Sequence, residues 1–424
     1  MDQTALDNLL QPKTVAVVGA SAQPGKIGYT VIENLLEGGY NGKIYPINPT
    51  ATEILGLKVF PTIADVPGKV DLAVITVPVK FVGQGSKECG EKGIKALSVI
   101  TSGFSEVGRK DLEDELVDIA HQYGMCVLGP NIVGTLSNSD KLNASFAPFL
   151  PFPGKATLIT QSGALLIAMD AITYTRKVGF DKMISIGNMA DVDFADLITW
   201  LDKDDNTSCI CLYIEGFKDG RKFIEASRNT KKPIIALKAG VSAHGAAAAA
   251  SHTGSLAGGE KIWQAFFRQT GAVRVESLEE MADVAQAFHR AGKVKGKRVA
   301  VLGFGGGNGV SVADDCAKAG LSLPVLSQGL IRKLRKRIPP AGSMIRNPID
   351  AAIAFVHLPL MGEVLDIVAQ SKEADGFIVS VPLDWLYNQS PDGAYIETLA
   401  TYLATEAKKY AGGKPMLVAW RQYE

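Results

Sequence analysis

The feature that most constrains the fold is a repeat. KTVAVVGASAQPGKIG at 13–28, KATLITQSGALLIAMD at 155–170 and KRVAVLGFGGGNGVSVAD at 297–314 share one plan. Each is a lysine, a short β-branched run, a Gly/Ser-rich turn and a helical pattern. Such a segment reads as a buried parallel strand, a tight loop and a helix start. It opens a doubly wound α/β domain. The copies recur about every 140 residues, an ordinary domain length. The expectation is three doubly wound α/β domains over 1–140, 150–290 and 295–424. NASFAPFLPFPGK at 143–155 reads as the first linker, and AGKVKGKR at 291–298 as the second boundary. In the first domain, strands are expected at 14–18, 43–47, 71–77, 95–100 and 125–128. Right-handed crossovers would join them into one parallel sheet.

Composition narrows the function classes. Lys+Arg and Asp+Glu are both 44, so no basic excess favours a nucleic-acid backbone. Hydrophobic residues are 46%, enough for sizeable cores, yet the apolar runs are strand-sized and too short to span a membrane. MDQTALDNLL is not a secretory signal. Five scattered cysteines read as reduced, buried thiols of a cytoplasmic protein. Cys209 and Cys211 share one strand face in CICLYI, but no His or Cys cluster completes a metal site, and none is expected.

The loops carry the chemistry. Gly19-Ala20-Ser21, with Gly25 and Gly28, lets backbone approach a phosphate at a helix start. The spacing is not G-x-G-x-x-G, and Asn48 in KIYPINP stands where a nicotinamide enzyme places an acid. A nucleotide with phosphates, other than NAD, fits better; a purely structural turn is the bland alternative. Pro78, Ser102-Gly103 and Gly129-Pro130-Asn131 also follow strands. Ligands bind at the carboxyl ends of open parallel sheets, so these loops are expected to border one crevice.

In the second domain, Thr160-Gln161-Ser162-Gly163 precedes a helical pattern and offers an anion site. A hydrolase role for Ser162 is the weaker reading, because G-x-S-x-G is absent. VSAHGAAAAASHTGSLAGG at 241–259 is nearly all small residues around His252. Its readings are a loop that can move or a short Ala-rich helix. Imidazole can carry a phosphoryl group, although a lone loop histidine is more often a surface residue. Glu215, at the end of CLYIEG, could orient such an imidazole or be a solvated loop acid.

In order along the chain, VAVVGAS, YPINP, DLAVITVP, ITSGFSE, GPNIVG, ITQSGAL, SIGNMADVDFAD, YIEGF, SHTGSLAG, GFGGGNGV and IRNPID resemble the α subunit of the ADP-forming acyl-CoA synthetases, relatives of succinyl-CoA synthetase. The resemblance implies a Rossmann-like coenzyme A-binding domain followed by two flavodoxin-like ligase domains. It places Gly19, Ala20, Ser21, Gly25 and Asn48 around the nucleotide end of coenzyme A. Pro78, Ser102 and Gly103 border the same crevice. His252 matches the family's phosphorylated histidine, and Glu215 the acid that supports it. Ser162 and Gly163 open the helix that receives phosphate, with Asn131, Gly187 and Asn188 close by. The implied reaction interconverts acyl-CoA, ADP and phosphate with a carboxylic acid, CoA and ATP, through an acyl phosphate and a phosphohistidine.

The resemblance also implies what this stretch of sequence lacks. ADP/ATP and Mg2+ belong on an ATP-grasp partner subunit or domain, in an α2β2 or similar assembly. The family's third domain continues beyond a strand such as KPMLVAW, whereas this chain stops at RQYE. Asn308 departs from the small residue or proline usual in the third glycine-rich loop. The alternatives are a non-catalytic coenzyme A-binding regulator, against which an intact SHTG counts, and a nicotinamide oxidoreductase, against which Asn48 counts.

Overall fold

A computed structural model describes residues 2–240, 260–291, 294–410 and 413–421. The chain divides into two compact units, 1–289 and 290–424. Among the described residues, three main sheets appear, each with a parallel core that includes the strand of one glycine-rich repeat.

The first sheet consists of β1 Thr14–Val18, β2 Lys43–Ile47, β3 Leu72–Ile75, β4 Ala96–Val99 and β5 Cys126–Leu128, in the order β2-β1-β3-β4-β5, all parallel. These strands are short β-branched runs buried on both faces, because helices cover both sides of a parallel sheet. A single parallel bridge, Ile47 to Phe60, lies beyond β2. Counted as a vestigial strand, it restores the dinucleotide-binding order 3-2-1-4-5-6. The topological switch falls between β1 and β3.

The second sheet contains β6 Gly134–Ser137, β7 Leu142–Ser145, β8 Pro153–Thr160, β9 Phe180–Ser185, β10 Cys209–Ile214, β11 Ile234–Lys238 and β12 Val273–Val275. Its order is β12-β11-β10-β8-β9-β6-β7. The parallel part has its switch between β8 and β10. β6 and β7 extend one edge as an antiparallel hairpin. Part of the expected linker at 143–155 is therefore strand. Asn143, Ala144 and Ser145 are buried there, and Asn34 donates to the carbonyls of Ser145 (2.9 Å) and Ala147 (2.8 Å). The Pro/Phe composition marked a linker, but pairing with β6 satisfies this backbone.

One hydrophobic core runs from β1 and β3 through the N-terminal helix Gln3–Leu10 to β9 and β10, so both sheets of the first unit share it. The second unit holds β13 Val299–Gly303, β14 Ser343–Ile345, β15 Ile349–Ala351, β16 Gly376–Pro382 and β17 Met416–Arg421, ordered β14-β15-β13-β16-β17. It has its own core. Cys209 and Cys211 face one core together, as alternation predicts, and all five cysteines are buried thiols. No helix among the described residues is long and apolar enough to cross a membrane.

Candidate functional site

The carboxyl end of β1 turns at Gly19 with φ of +96°. A Cβ there would lie 2.8 Å from both Thr76 Oγ1 and the Val77 nitrogen, so only glycine allows this approach at the switch point. The N–H groups of Gly19 and Ala20 donate to the Ile47 carbonyl. Asn48 shapes the loop from across the sheet. Its amide donates to the Ala20 carbonyl (2.8 Å), and its Oδ1 accepts from the N–H groups of Thr50 and Ala51 (2.9 Å each). Ser21 Oγ accepts from the Gln23 N–H, and Gly25 stands exposed at φ +82°.

A cleft of about 600 Å³ opens beside this loop. Pro78 and Ser102, from the ends of the first sheet, line it together with Asn131, Gln161, Ser162 and Gly163. Of the first-sheet loops expected to border one crevice, Pro78, Ser102 and Asn131 line this hollow while Gly103, Gly129 and Pro130 do not, and packing brings the second sheet's helix start to it as well. Gly19, Ala20, Ser21, Gly25 and Asn48 are not lining residues; Gly19 abuts Thr76, which is.

Ser162 caps the helix Gly163–Arg176, its Oγ accepting from the Leu165 N–H at 3.4 Å. Gln161 ties this loop to the end of β10: its Oε1 accepts from the N–H groups of Glu215 (2.7 Å) and Gly216 (3.0 Å). From β11, the buried Lys238 ammonium donates to the carbonyls of Glu215 (3.0 Å) and Ala239 and lies 5.1 Å from the Trp263 ring centre. Burial lowers the Lys238 pKa, opposed by the Glu215 charge. Glu215 is thereby held at both its N–H and its carbonyl, 8% exposed.

A second knot joins the two sheets. Gly187 adopts φ +47°, and a Cβ on it would lie 2.3 Å from the carbonyl oxygens of Pro130 and Asn131. The next residue, Asn188, donates to Glu106 (2.6 Å), Glu113 (2.9 Å) and Ser105 (3.1 Å), and its Oδ1 accepts from Asn131 (3.3 Å). Burial opposes the Glu106 charge, but hydrogen bonds from Asn188 and the Gly103 and Phe104 N–H groups prevail and lower its pKa. The Gly103 N–H is thus already engaged by Glu106 at 2.5 Å, and Gly187 and Asn188 sit behind Asn131, outside the cleft lining.

His252 lies outside the described residues. Sequence reasoning missed Gln161, Lys238 and Glu106 as supports. A lysine ending the apolar run IIALK was the readable sign for Lys238; Gln161 and Glu106 act through contacts distant in sequence.

Two family models match: a CoA binding domain over residues 13–137 and a succinyl-CoA ligase like flavodoxin domain over 153–288. The alpha subunit of an ADP-forming acetate–CoA ligase I from Pyrococcus furiosus is 46% identical over 82% of this chain and 76% of its own. The ADP-forming acetate–CoA ligase of Methanocaldococcus jannaschii is 41% identical over 80% of this chain, which spans 48% of that longer protein. Among solved structures, a dinucleotide-forming acetyl-coenzyme A synthetase 1 of Candidatus Korarchaeum cryptofilum, in complex with phosphate and ADP, is similar with a TM-score of 0.90. It is 40% identical, covering 99% of this chain and 89% of that one. From the ordered motifs, the shared cleft and these likenesses together, the chain belongs to the family of ADP-forming acetate–CoA ligases and corresponds to their alpha subunit.

Proposed function

We propose that this chain, with an ATP-grasp partner subunit, interconverts acyl-CoA, ADP and phosphate with a carboxylic acid, CoA and ATP. The observation that carries this reading is the cleft that Pro78 and Ser102 share with Ser162 and Gly163. Its three domains would be a Rossmann-like coenzyme A domain and two flavodoxin-like ligase domains. Coenzyme A lies along the carboxyl ends of the first sheet, its nucleotide end at Gly19, Ala20, Ser21 and Gly25, in a loop that Asn48 shapes. Gly19 admits close approach where a side chain would collide.

The thioester reaches the start of the helix Gly163–Arg176, whose open N–H groups and dipole favour an anion. A phosphate oxygen attacks the thioester carbonyl, the C–S bond breaks, and CoA leaves as thiolate to be protonated. A ring nitrogen of His252 then attacks the phosphorus of the acyl phosphate and displaces the carboxylate. Finally a terminal oxygen of ADP attacks the phosphohistidine, giving ATP and free imidazole. Glu215 orients the imidazole by accepting from its other ring N–H. ADP and Mg2+ are bound by the partner, in an α2β2 or similar assembly; relatives named as alpha subunits support a separate partner.

The test is to incubate the chain and its ATP-grasp partner with acetyl-CoA and radiolabelled phosphate, mapping the label before ADP and Mg2+ are added and measuring ATP after. Label should appear on His252 as an acid-labile, base-stable phosphoramidate. His252→Ala should lose the label and all ATP formation yet still bind CoA. Full turnover in that variant would overturn the carrier role.

A further inference from the structure

We propose that Val133, Phe146 and Ile167 form the wall that selects the acyl group, admitting uncharged, apolar chains whose length Phe146 limits. This rests on the reading of the cleft given above. All three residues line the cleft, and no described lining residue is Lys, Arg, His, Asp or Glu. An acyl chain ending in a second carboxylate would lose hydration against this wall and meet no cationic side chain among the described lining residues. An apolar chain would exchange water for contact with the wall.

The wall is fixed where the proposed chemistry occurs. A Cβ on Gly163 would lie 2.7 Å from Val133 Cγ2, so Val133 sits directly against the first residue of the helix. Ile167, one helical turn further, shares that face. The Val133 N–H donates to Ser185 Oγ (3.2 Å), and its carbonyl accepts from the Phe146 N–H (3.2 Å), which closes the β6–β7 hairpin behind the cleft. Phe146 is half-buried and packs against the cores on both sides of the hairpin. Such a side chain shapes a pocket of fixed depth.

Calorimetric titration of the full chain with CoA, acetyl-CoA, phenylacetyl-CoA and succinyl-CoA tests this. Phe146→Ala should raise the preference for phenylacetyl-CoA over acetyl-CoA at least about tenfold, the scale of a methylene or more of apolar pocket. CoA affinity should stay within about twofold of wild type, far below that scale. Ile167→Phe should shift the preference the opposite way. Succinyl-CoA should bind no tighter than CoA in any variant. Phe146→Leu gives a milder shift of the same sign if the alanine variant does not fold. An unchanged preference in every folded Phe146 variant, with CoA binding intact, overturns the wall. Loss of CoA binding in the wild-type chain would instead overturn the underlying reading, and the wall with it.

Discussion

At the scale of single residues, two buried side chains give opposite lessons. Gln161 satisfies two buried N–H groups with one oxygen, so it shapes the loop whatever binds there. Asp170, on the helix that Ser162 caps, is fully buried, and neither carboxyl oxygen has a partner among the described residues. Burial pushes its pKa up to about 7. The native state then keeps a proton that the unfolded chain releases near pH 4, so stability falls as pH rises from about 4 to 7 and is flat above. Asp170→Asn should leave stability at pH 4 nearly unchanged and raise it at pH 8 by up to about 4 kcal/mol. Urea unfolding at the two pH values checks this; equal shifts at both would exclude a buried neutral acid.

At the scale of elements, β9 is anchored through a buried charge. Lys182 Nζ lies 2.5 Å from Asp181 Oδ2 and 3.0 Å from Asp204 Oδ2, with all three side chains buried. It also donates to Ser139 Oγ in the β6–β7 turn (3.3 Å), so one ammonium ties that turn to β9 and to the loop before β10. Burial works against the Asp204 charge, but Lys182 and the Thr207 hydroxyl outweigh it and lower its pKa. That contribution is present above the unfolded value and is lost as pH falls through the lower folded one, below about 4. Lys182→Met leaves two buried carboxylates unpaired and should cost about 3–5 kcal/mol. Replacing both aspartates by asparagine as well should recover part of that. Guanidinium unfolding curves of the single and triple variants test it, and a triple variant no more stable than the single would refute the pairing.

At the scale of the whole molecule, the separate cores of 1–289 and 290–424 predict two thermal transitions. CoA, if it binds the first sheet as proposed, should raise only the transition of the first unit, by about 2.7 kcal/mol at a hundredfold excess over Kd. Calorimetry of the full chain distinguishes this from a shift of both transitions, which would place ligand contacts on the second unit too.

The three glycine-rich repeats, the strand positions and the loops at strand ends were legible because each rests on local chemistry: β-branched runs that must be buried, and glycines where backbone turns sharply. Ser162 and Gly163 were readable for the same reason. The sequence could not reveal that β6 and β7 leave the first sheet for the second, since edge pairing depends on a partner strand 45 to 49 residues away. Nor could it show that Asn188 bonds Glu106 and Glu113, or that Val133 meets Gly163, because these contacts exist only once two sheets share one core. Local sequence determined which elements form and which loops can meet a ligand. Tertiary packing alone decided which loops face the same hollow and what shapes its walls, because those distances are set between segments far apart along the chain.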